Sequence, residues 1–211
     1  TDSIVAMRTD QVAALRTNQI AALTTDAIAA METNDIAALT TASTAALTTG
    51  QVNKGLTTDQ VVALRTDQVA TLKTGQVAAL STDQVAALET RDIAALASAS
   101  IGALTTDQVS KGLTTSQVAA MTTAGVAALS TSGVASLTTD QIVALRTDQF
   151  AALKTAQVVA LTTDQVAAME TRDVAALTTG VVAALTTNQI SKGLTTDQIV
   201  ALTTGGVAAL T

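Results

Sequence analysis

Thr9-Asp10-Gln11-Val12-Ala13-Ala14-Leu15-Arg16 is one copy of the eight-residue unit from which the chain is built. The consensus of this unit is T-D-Q-V-A-A-L-x, in which the last position varies. Octads fill the 211 residues except at 49–57, 106–114 and 187–195, where the unit has nine residues and contains Lys-Gly-Leu. No stretch departs from the pattern, so we predict that residues 1–211 form a single continuous repeat array.

A longer period is superimposed on the octads. Residues 1–57, 58–114 and 139–195 are three copies of a seven-unit block, in which six octads precede a nine-residue unit. Residues 115–138 add three further octads, and residues 196–211 are a partial block. The chain therefore has the organisation of a duplicated array without separate domains.

The octad predicts a short helix. In one uninterrupted helix, eight residues at ~100° each would rotate the apolar positions by ~80° per unit, so no apolar stripe would form. A strand is disfavoured because Val and Leu do not alternate and Ala-Ala is a poor strand former. Thr suits an N-cap, Asp suits the positive end of the helix dipole, and Ala-Ala-Leu has high helix propensity. We predict an all-α solenoid of very short helices, one per octad, with the recurring Thr as N-cap.

Such helices require neighbours, because about six residues are too few for a stable isolated helix. We expect Val or Ile and Leu or Met to form the packed face, and the two alanines to allow close backbone approach. Three octads per coil is predicted, because the insertion 115–138 spans 24 residues and three pairs of opposite charges are separated by the same interval. A two-octad coil of 16 residues is the alternative. The charge pairs, expected to stack on successive coils, are Arg8 with Glu32, Arg65 with Glu89, and Arg146 with Glu170.

The Lys-Gly-Leu segments of the nine-residue units are typical of helix C-termini. We expect Gly55, Gly112 and Gly193 to adopt the left-handed cap conformation, with the preceding lysine interacting favourably with the helix dipole.

Composition excludes most catalytic chemistry. The chain has no His, Cys, Trp, Tyr or Pro, and Phe150 is its single aromatic residue. Without these residues there is neither a side chain that titrates unaided near neutral pH nor a thiolate nucleophile. We expect no enzyme activity, no catalytic residue, no cofactor and no metal. The net charge of -6 disfavours nucleic acid, and no apolar run approaches the ~20 residues of a membrane span.

The recurring polar residues have a functional interpretation beside a structural one. A regular Thr surface could bind ice, but helix capping accounts for the recurring Thr, and Arg65, Lys73 and Glu89 would interrupt a plane at the variable position. The recurring Asp could collect calcium, but neither the Gly-Gly-x-Gly-x-Asp nor the EF-hand pattern is present.

The remaining candidates favour structural roles. Lys-Gly could bind phosphate, yet it lacks a glycine-rich loop, so a helix cap is the simpler interpretation of Lys54, Lys111 and Lys192. Methionine occupies the Leu position and phenylalanine the Val position, which predicts core substitutions. These residues are Met7, Met31, Met121, Met169 and Phe150.

The stretch Leu104-Thr105-Thr106-Asp107-Gln108-Val109, with its many copies, resembles the L-T-T-x-Q-V/I-x-A-L short-repeat regions of large bacterial secreted or cell-surface, adhesin-like proteins. The resemblance covers the whole chain and implies an extracellular or cell-surface location. The expected function is that of a structural or adhesive solenoid segment, such as a rod, stalk or filament. Its expected partners are itself or neighbouring repeats, through end-to-end or lateral assembly. The alternatives are a surface-binding module such as an ice-binding Thr array, and a disordered low-complexity linker.

Overall fold

The computed structural model describes the backbone of residues 2–210 and the side chains from residue 4 to residue 210. All regular structure in that range is helical, which confirms the all-α prediction. The elements are α1 Asp2–Val5, α2 Thr9–Ala13, α3 Thr17–Ala22, α4 Thr25–Ala29, α5 Thr33–Ala38, α6 Thr41–Ala45, π1 Gln51–Gly55, α7 Thr58–Ala63, α8 Thr66–Val69, α9 Thr74–Ala79, α10 Thr82–Ala87, α11 Thr90–Ala95, α12 Ser98–Gly102, π2 Gln108–Gly112, α13 Thr115–Ala120, α14 Thr123–Ala128, α15 Thr131–Ala135, α16 Thr139–Ala144, α17 Thr147–Ala151, α18 Thr155–Val159, α19 Thr163–Ala168, α20 Thr171–Ala175, α21 Thr179–Ala183, π3 Gln189–Gly193, α22 Thr196–Ala201 and α23 Thr204–Ala209. None of these described helices has the length and apolar character needed to cross a membrane.

Each octad forms one helix followed by a sharp corner. In α10, Leu88 leaves the helix in an extended conformation with φ -62° and ψ 138°, and Glu89 continues it with φ -73° and ψ 156°. These two extended residues turn the chain, and the next helix begins at Thr90. The corner needs no left-handed residue, and no described residue has a positive φ.

The N-cap prediction was wrong by one residue. The variable position is the N-cap, and the recurring Thr is the first helical residue. At Ser81, for example, Oγ accepts a hydrogen bond from the backbone N–H of Gln84 at 3.1 Å. Thr57 caps α7 in the same way, because its Oγ1 accepts a hydrogen bond from the backbone N–H of Gln60 at 3.2 Å. The corner explains the shift, because Leu and the variable residue are both extended and only the residue after them enters the helix.

Helices three octads apart stack on each other in both compact units of the chain, residues 1–113 and residues 114–211. This stacking confirms three octads per coil and excludes the two-octad coil. Each unit thus has three columns of helices. In the first unit the columns are α4, π1, α9, α12; α2, α5, α7, α10, π2; and α3, α6, α8, α11. In the second unit they are α13, α16, α19, π3; α14, α17, α20, α22; and α15, α18, α21, α23.

The core consists of the aliphatic positions that the sequence predicts. Val85 and Leu88 of one octad are 0% and 4% exposed, and other octads repeat these values closely. Phe150 is buried at the Val position. The first position of the alanine pair is exposed in some octads, as where Val62 replaces alanine and is 47% exposed, and half-buried in others, as at Ala37 and Ala78. The second alanine is half-buried in most octads, as at Ala63 and Ala87.

The nine-residue units absorb their extra residue inside the helix. Each of these units forms one π-helical turn. In π2, for example, the backbone N–H of Leu113 donates to the carbonyl of Gln108 at 2.8 Å. The predicted left-handed caps at Gly55, Gly112 and Gly193 are wrong, since none of the glycines that the structure describes has a positive φ. Glycine is required instead because the neighbouring coil leaves no room for a side chain. A Cβ on Gly112 would lie 3.1 Å from Val85 Cβ and 3.2 Å from the Thr82 carbonyl oxygen.

We expect Gly112→Ala to destabilise the protein, because the added methyl group meets backbone and a β-branched side chain that cannot move aside. Overpacking of this kind costs about 1–3 kcal/mol. The matched control is Gly180→Ala, where a Cβ meets nothing within 4 Å and should stabilise α21 by about 0.5–1 kcal/mol. Urea unfolding followed by circular dichroism measures both changes. Equal effects of the two substitutions would contradict the steric explanation.

Candidate functional surface

Glutamine at the third helical position connects neighbouring coils, a role that sequence reasoning missed. Gln68 is completely buried, and its Oε1 accepts the backbone N–H of Arg65 at 2.7 Å. Its Nε2 donates to the carbonyls of Ile36 and Leu39, at 2.9 and 2.8 Å, at the corner one coil below. One side-chain amide thus forms hydrogen bonds with backbone groups at two corners, the corner before its own helix and the corner of the coil below. The available signal was a polar residue that recurs directly beside the buried Val.

The same three bonds recur along both units, and we call this series the glutamine ladder. Ser100 replaces glutamine in α12 and makes a single bond to the Leu72 carbonyl at 3.1 Å, and Ser43 in α6 makes a comparable bond to Leu15. In the first coil, Gln19 is exposed and has only the bond to its own N-cap, Arg16. The further glutamines with bonds to both corners are Gln51, Gln60, Gln76, Gln84, Gln108, Gln149, Gln157, Gln165, Gln189 and Gln198.

Aspartate replaces glutamine in the ladder after each Glu N-cap. Asp92 is 1% exposed, and its Oδ1 accepts the hydroxyl of Thr66 from the coil below at 2.7 Å. Asp173 accepts the hydroxyl of Thr147 at the same distance. Burial raises the pKa of Asp173 above its ordinary value, although the Thr147 hydroxyl opposes this shift. Asp35, in α5, is the third such aspartate.

Exposed ion pairs form within a helix start. The predicted ion pairs between coils were wrong, although the helices that carry the predicted partners, such as α8 and α11, do stack. Arg65 contacts Asp67 at 3.0 Å rather than Glu89, and Glu89 contacts Arg91 at 2.5 Å. The guanidinium of Arg65 also donates to the carbonyls of Ala37 and Leu39 at the corner below. A residue two positions away reaches its partner with less loss of side-chain freedom than one on another coil. Similar pairs are Arg8 with Asp10, Arg146 with Asp148, and Arg172 with Glu170.

These pairs shift the titration of the exposed aspartates. Hydrogen bonding to Arg65 holds the pKa of Asp67 below its ordinary value, and Arg8 and Arg146 do the same for Asp10 and Asp148. A lowered pKa favours the folded state above the ordinary value of 3.8, and this contribution is lost as the pH falls through the folded-state pKa.

The other sequence candidates lie apart from one another. Lys54, Lys111 and Lys192 are in the π-helical turns, and Lys111 pairs with Asp107 at 2.8 Å. Most consensus aspartates stand singly at the second helical position. No group of three or more potential metal ligands occurs among the side chains that the structure describes. Three of the four candidate methionines, Met31, Met121 and Met169, are buried with Phe150 in the core, and Met7 is partly covered.

One column of the second unit carries an uninterrupted Thr surface. In α13, α16 and α19 both the N-cap and the following residue are threonine, and two threonines stand at the equivalent places of the nine-residue unit that contains π3. The first threonine of each pair is an exposed residue, and no charged residue replaces it over four successive coils. The pairs are Thr114–Thr115, Thr138–Thr139, Thr162–Thr163 and Thr186–Thr187.

An open cleft of about 460 Å³ lies beside the corner between α19 and α20. Its charged side chains are Glu170 and Arg172, which pair with each other, and Asp197. The other lining residues are Ala167, Met169, Thr171, Thr195 and Gln198. Gln198 already forms the ladder hydrogen bonds, so the cleft has few polar side chains that could bind a ligand.

Comparison with known proteins assigns the repeats to a described repeat family. The family model described as the ALTTAQ repeat matches residues 1–25, 28–66, 62–90, 85–123, 111–147, 123–155, 144–171 and 166–204. No curated protein matches the chain. Among solved structures, the leucine-rich repeat-containing protein LegL7 from Legionella pneumophila matches 97% of this chain and 79% of its own, at 9% identity and a TM-score of 0.21. A TM-score this low does not show a shared fold.

We expect Gln68→Met to destabilise the protein by about 1–3 kcal/mol, because the backbone N–H of Arg65 loses its acceptor and the buried carbonyls of Ile36 and Leu39 each lose a donor. Methionine keeps the length of the side chain, so loss of packing is small. Gln19→Met is the matched control, since Gln19 has only its local N-cap bond. Urea unfolding of the 211-residue chain measures both. If Gln19→Met is as damaging as Gln68→Met, the bonds to the coil below contribute nothing.

Proposed function

Because the chain belongs to the ALTTAQ repeat family, we propose that it is a structural or adhesive solenoid segment of a large extracellular bacterial protein. One observation carries this proposal. Eleven glutamines of the ladder join their coil to the one below through the same three bonds, and Gln68, Gln76 and Gln84 do so in the three different columns of the first unit. A joint that is independent of position allows coils to be added without redesign, as a spacer of adjustable length requires.

The insertion at residues 115–138 supports this interpretation. It supplies α13, α14 and α15, which begin the three columns of the second unit, and α16, α17 and α18 stack on them. Three octads therefore complete one coil, and the next block continues in the same columns. Length can change in steps of one coil while the core remains continuous.

The polar groups of the corners support a mechanical role as well. The ladder amides join neighbouring coils, the N-cap hydroxyls cap their own helices, and several exposed charges are paired within their own helix start. In this proposal the partners are neighbouring repeats or further copies of the chain, and the location is the cell surface or the extracellular space.

We expect a second copy of residues 115–138, inserted after residue 138, to lengthen the protein by about 8–10 Å, the usual distance between packed helices. The helical signal per residue should stay constant. A control that duplicates only residues 115–118 adds half an octad and should lower the unfolding temperature, because it breaks the ladder. Small-angle scattering and circular dichroism measure these properties. An unchanged maximum dimension in the lengthened protein would refute the spacer proposal.

The uninterrupted Thr column of the second unit favours ice binding as a second candidate. We expect Thr139→Lys to abolish thermal hysteresis, because a long charged side chain disrupts a flat Thr surface. Thr155→Lys changes an equally exposed first helical residue in a different column, on α18, and should leave the hysteresis intact. A wild-type protein without thermal hysteresis would eliminate this candidate.

A further inference from the structure

The glutamine ladder has a defect at Asp173. On α19, which precedes α20 in the chain, Gln165 donates to the carbonyls of Val134 and Leu137. On α22, which stacks on α20, Gln198 donates to the carbonyls of Val166 and Met169. The carbonyls in the equivalent places beneath Asp173 belong to Ile142 and Leu145. An ionised carboxylate has no hydrogen to donate to them. The joint between α17 and α20 therefore lacks the bonds that glutamine makes elsewhere.

The two oxygens of Asp173 are in different situations. Oδ1 accepts the Thr147 hydroxyl at 2.7 Å and lies 3.8 Å from Nε of Arg172. Oδ2 is buried and has no hydrogen-bond partner. The side chain is 0% exposed, so water cannot compensate the missing bond. A buried carboxylate oxygen without a donor is unfavourable, and the cost disappears if that oxygen carries a proton.

We propose that Asp173 makes the joint between α17 and α20 proton-sensitive, so that the two coils are held together more firmly when the carboxyl group is protonated. Protonation removes the buried charge and gives Oδ2 an O–H group that can donate. The proton comes from solvent. The Thr147 hydroxyl still donates to Oδ1 in both states.

The charged groups around Asp173 determine the direction of the effect. On its own helix start these are Glu170, which disfavours a second negative charge, and Arg172, which favours it but is already paired with Glu170. On α17 below, Arg146 and Asp148 pair with each other. On α22 above, the ionisable group is Asp197. Burial dominates, and it raises the pKa of Asp173.

The sign of the pH dependence follows from this shift. A carboxyl group whose folded-state pKa is raised stabilises the fold fully below its ordinary value of 3.8. This contribution is lost as the pH rises through the folded-state pKa. The joint is thus firmest in acid and weakest near neutral pH.

We test the proposal with Asp173→Asn in the full chain, because asparagine has the same shape, no charge and an amide donor. The variant should unfold about 2–4 °C above the wild type near pH ~7, and the gain should shrink as the pH falls through the raised pKa of Asp173, because the wild type then becomes protonated. Asp164→Asn on α19 is the control, since it removes an equal charge from an exposed side chain. The proposal is overturned if both variants have the same dependence on pH.

A direct titration provides a second test that does not depend on unfolding. The carboxyl carbon of Asp173, followed by NMR, should titrate above 3.8. Thr147→Val removes the hydroxyl that favours the ionised form and should move the titration to still higher pH. A midpoint at or below 3.8, or no response to Thr147→Val, would show that the joint is not controlled by this carboxyl group.

Discussion

Stability in this fold depends on contact between coils, because each helix is too short to persist by itself. Four to six residues form one turn, with hardly any internal hydrogen bonds to offset the loss of chain entropy. The missing bonds are supplied by the corner below. Gln68 illustrates the arrangement, since its single amide satisfies its own N-cap and two carbonyls of the preceding coil. Val69 and Leu72 of the same octad complete the buried face.

Periodicity in the sequence is sufficient to predict one helix per octad and three octads per coil, because both follow from spacing. Side-chain partners do not follow from spacing. Arg65 and Glu89 have the separation expected for adjacent coils, yet Arg65 pairs with Asp67, which lies two residues away and is easier to reach. The role of Gln68 also required the structure, because its acceptors, Ile36 and Leu39, are about thirty residues distant and meet only at a corner.

Two local predictions failed for a common reason, which is that they assumed ordinary helix ends. Thr82 resembles an N-cap in sequence, but the corner of two extended residues moves that role to Ser81. Gly112 resembles a left-handed C-cap, but the helix ends through a π turn, and the glycine is needed where the backbone approaches Val85. In both cases the packing of coils, rather than the preference of an isolated helix, determines the conformation.

The block length explains why the surface varies while the interior does not. A block has seven repeat units, which is not a multiple of three, so equivalent residues in successive blocks of the first unit lie in different columns. Glu32 precedes α5, whereas its equivalent, Glu89, precedes α11 in another column. A feature repeated once per block therefore moves around the solenoid instead of forming one continuous face. Interior positions are insensitive to this rotation because all three columns need the same Gln, Val and Leu. This separation lets the surface change without disturbing the joints, and it suits a spacer better than a site that must present one fixed set of groups.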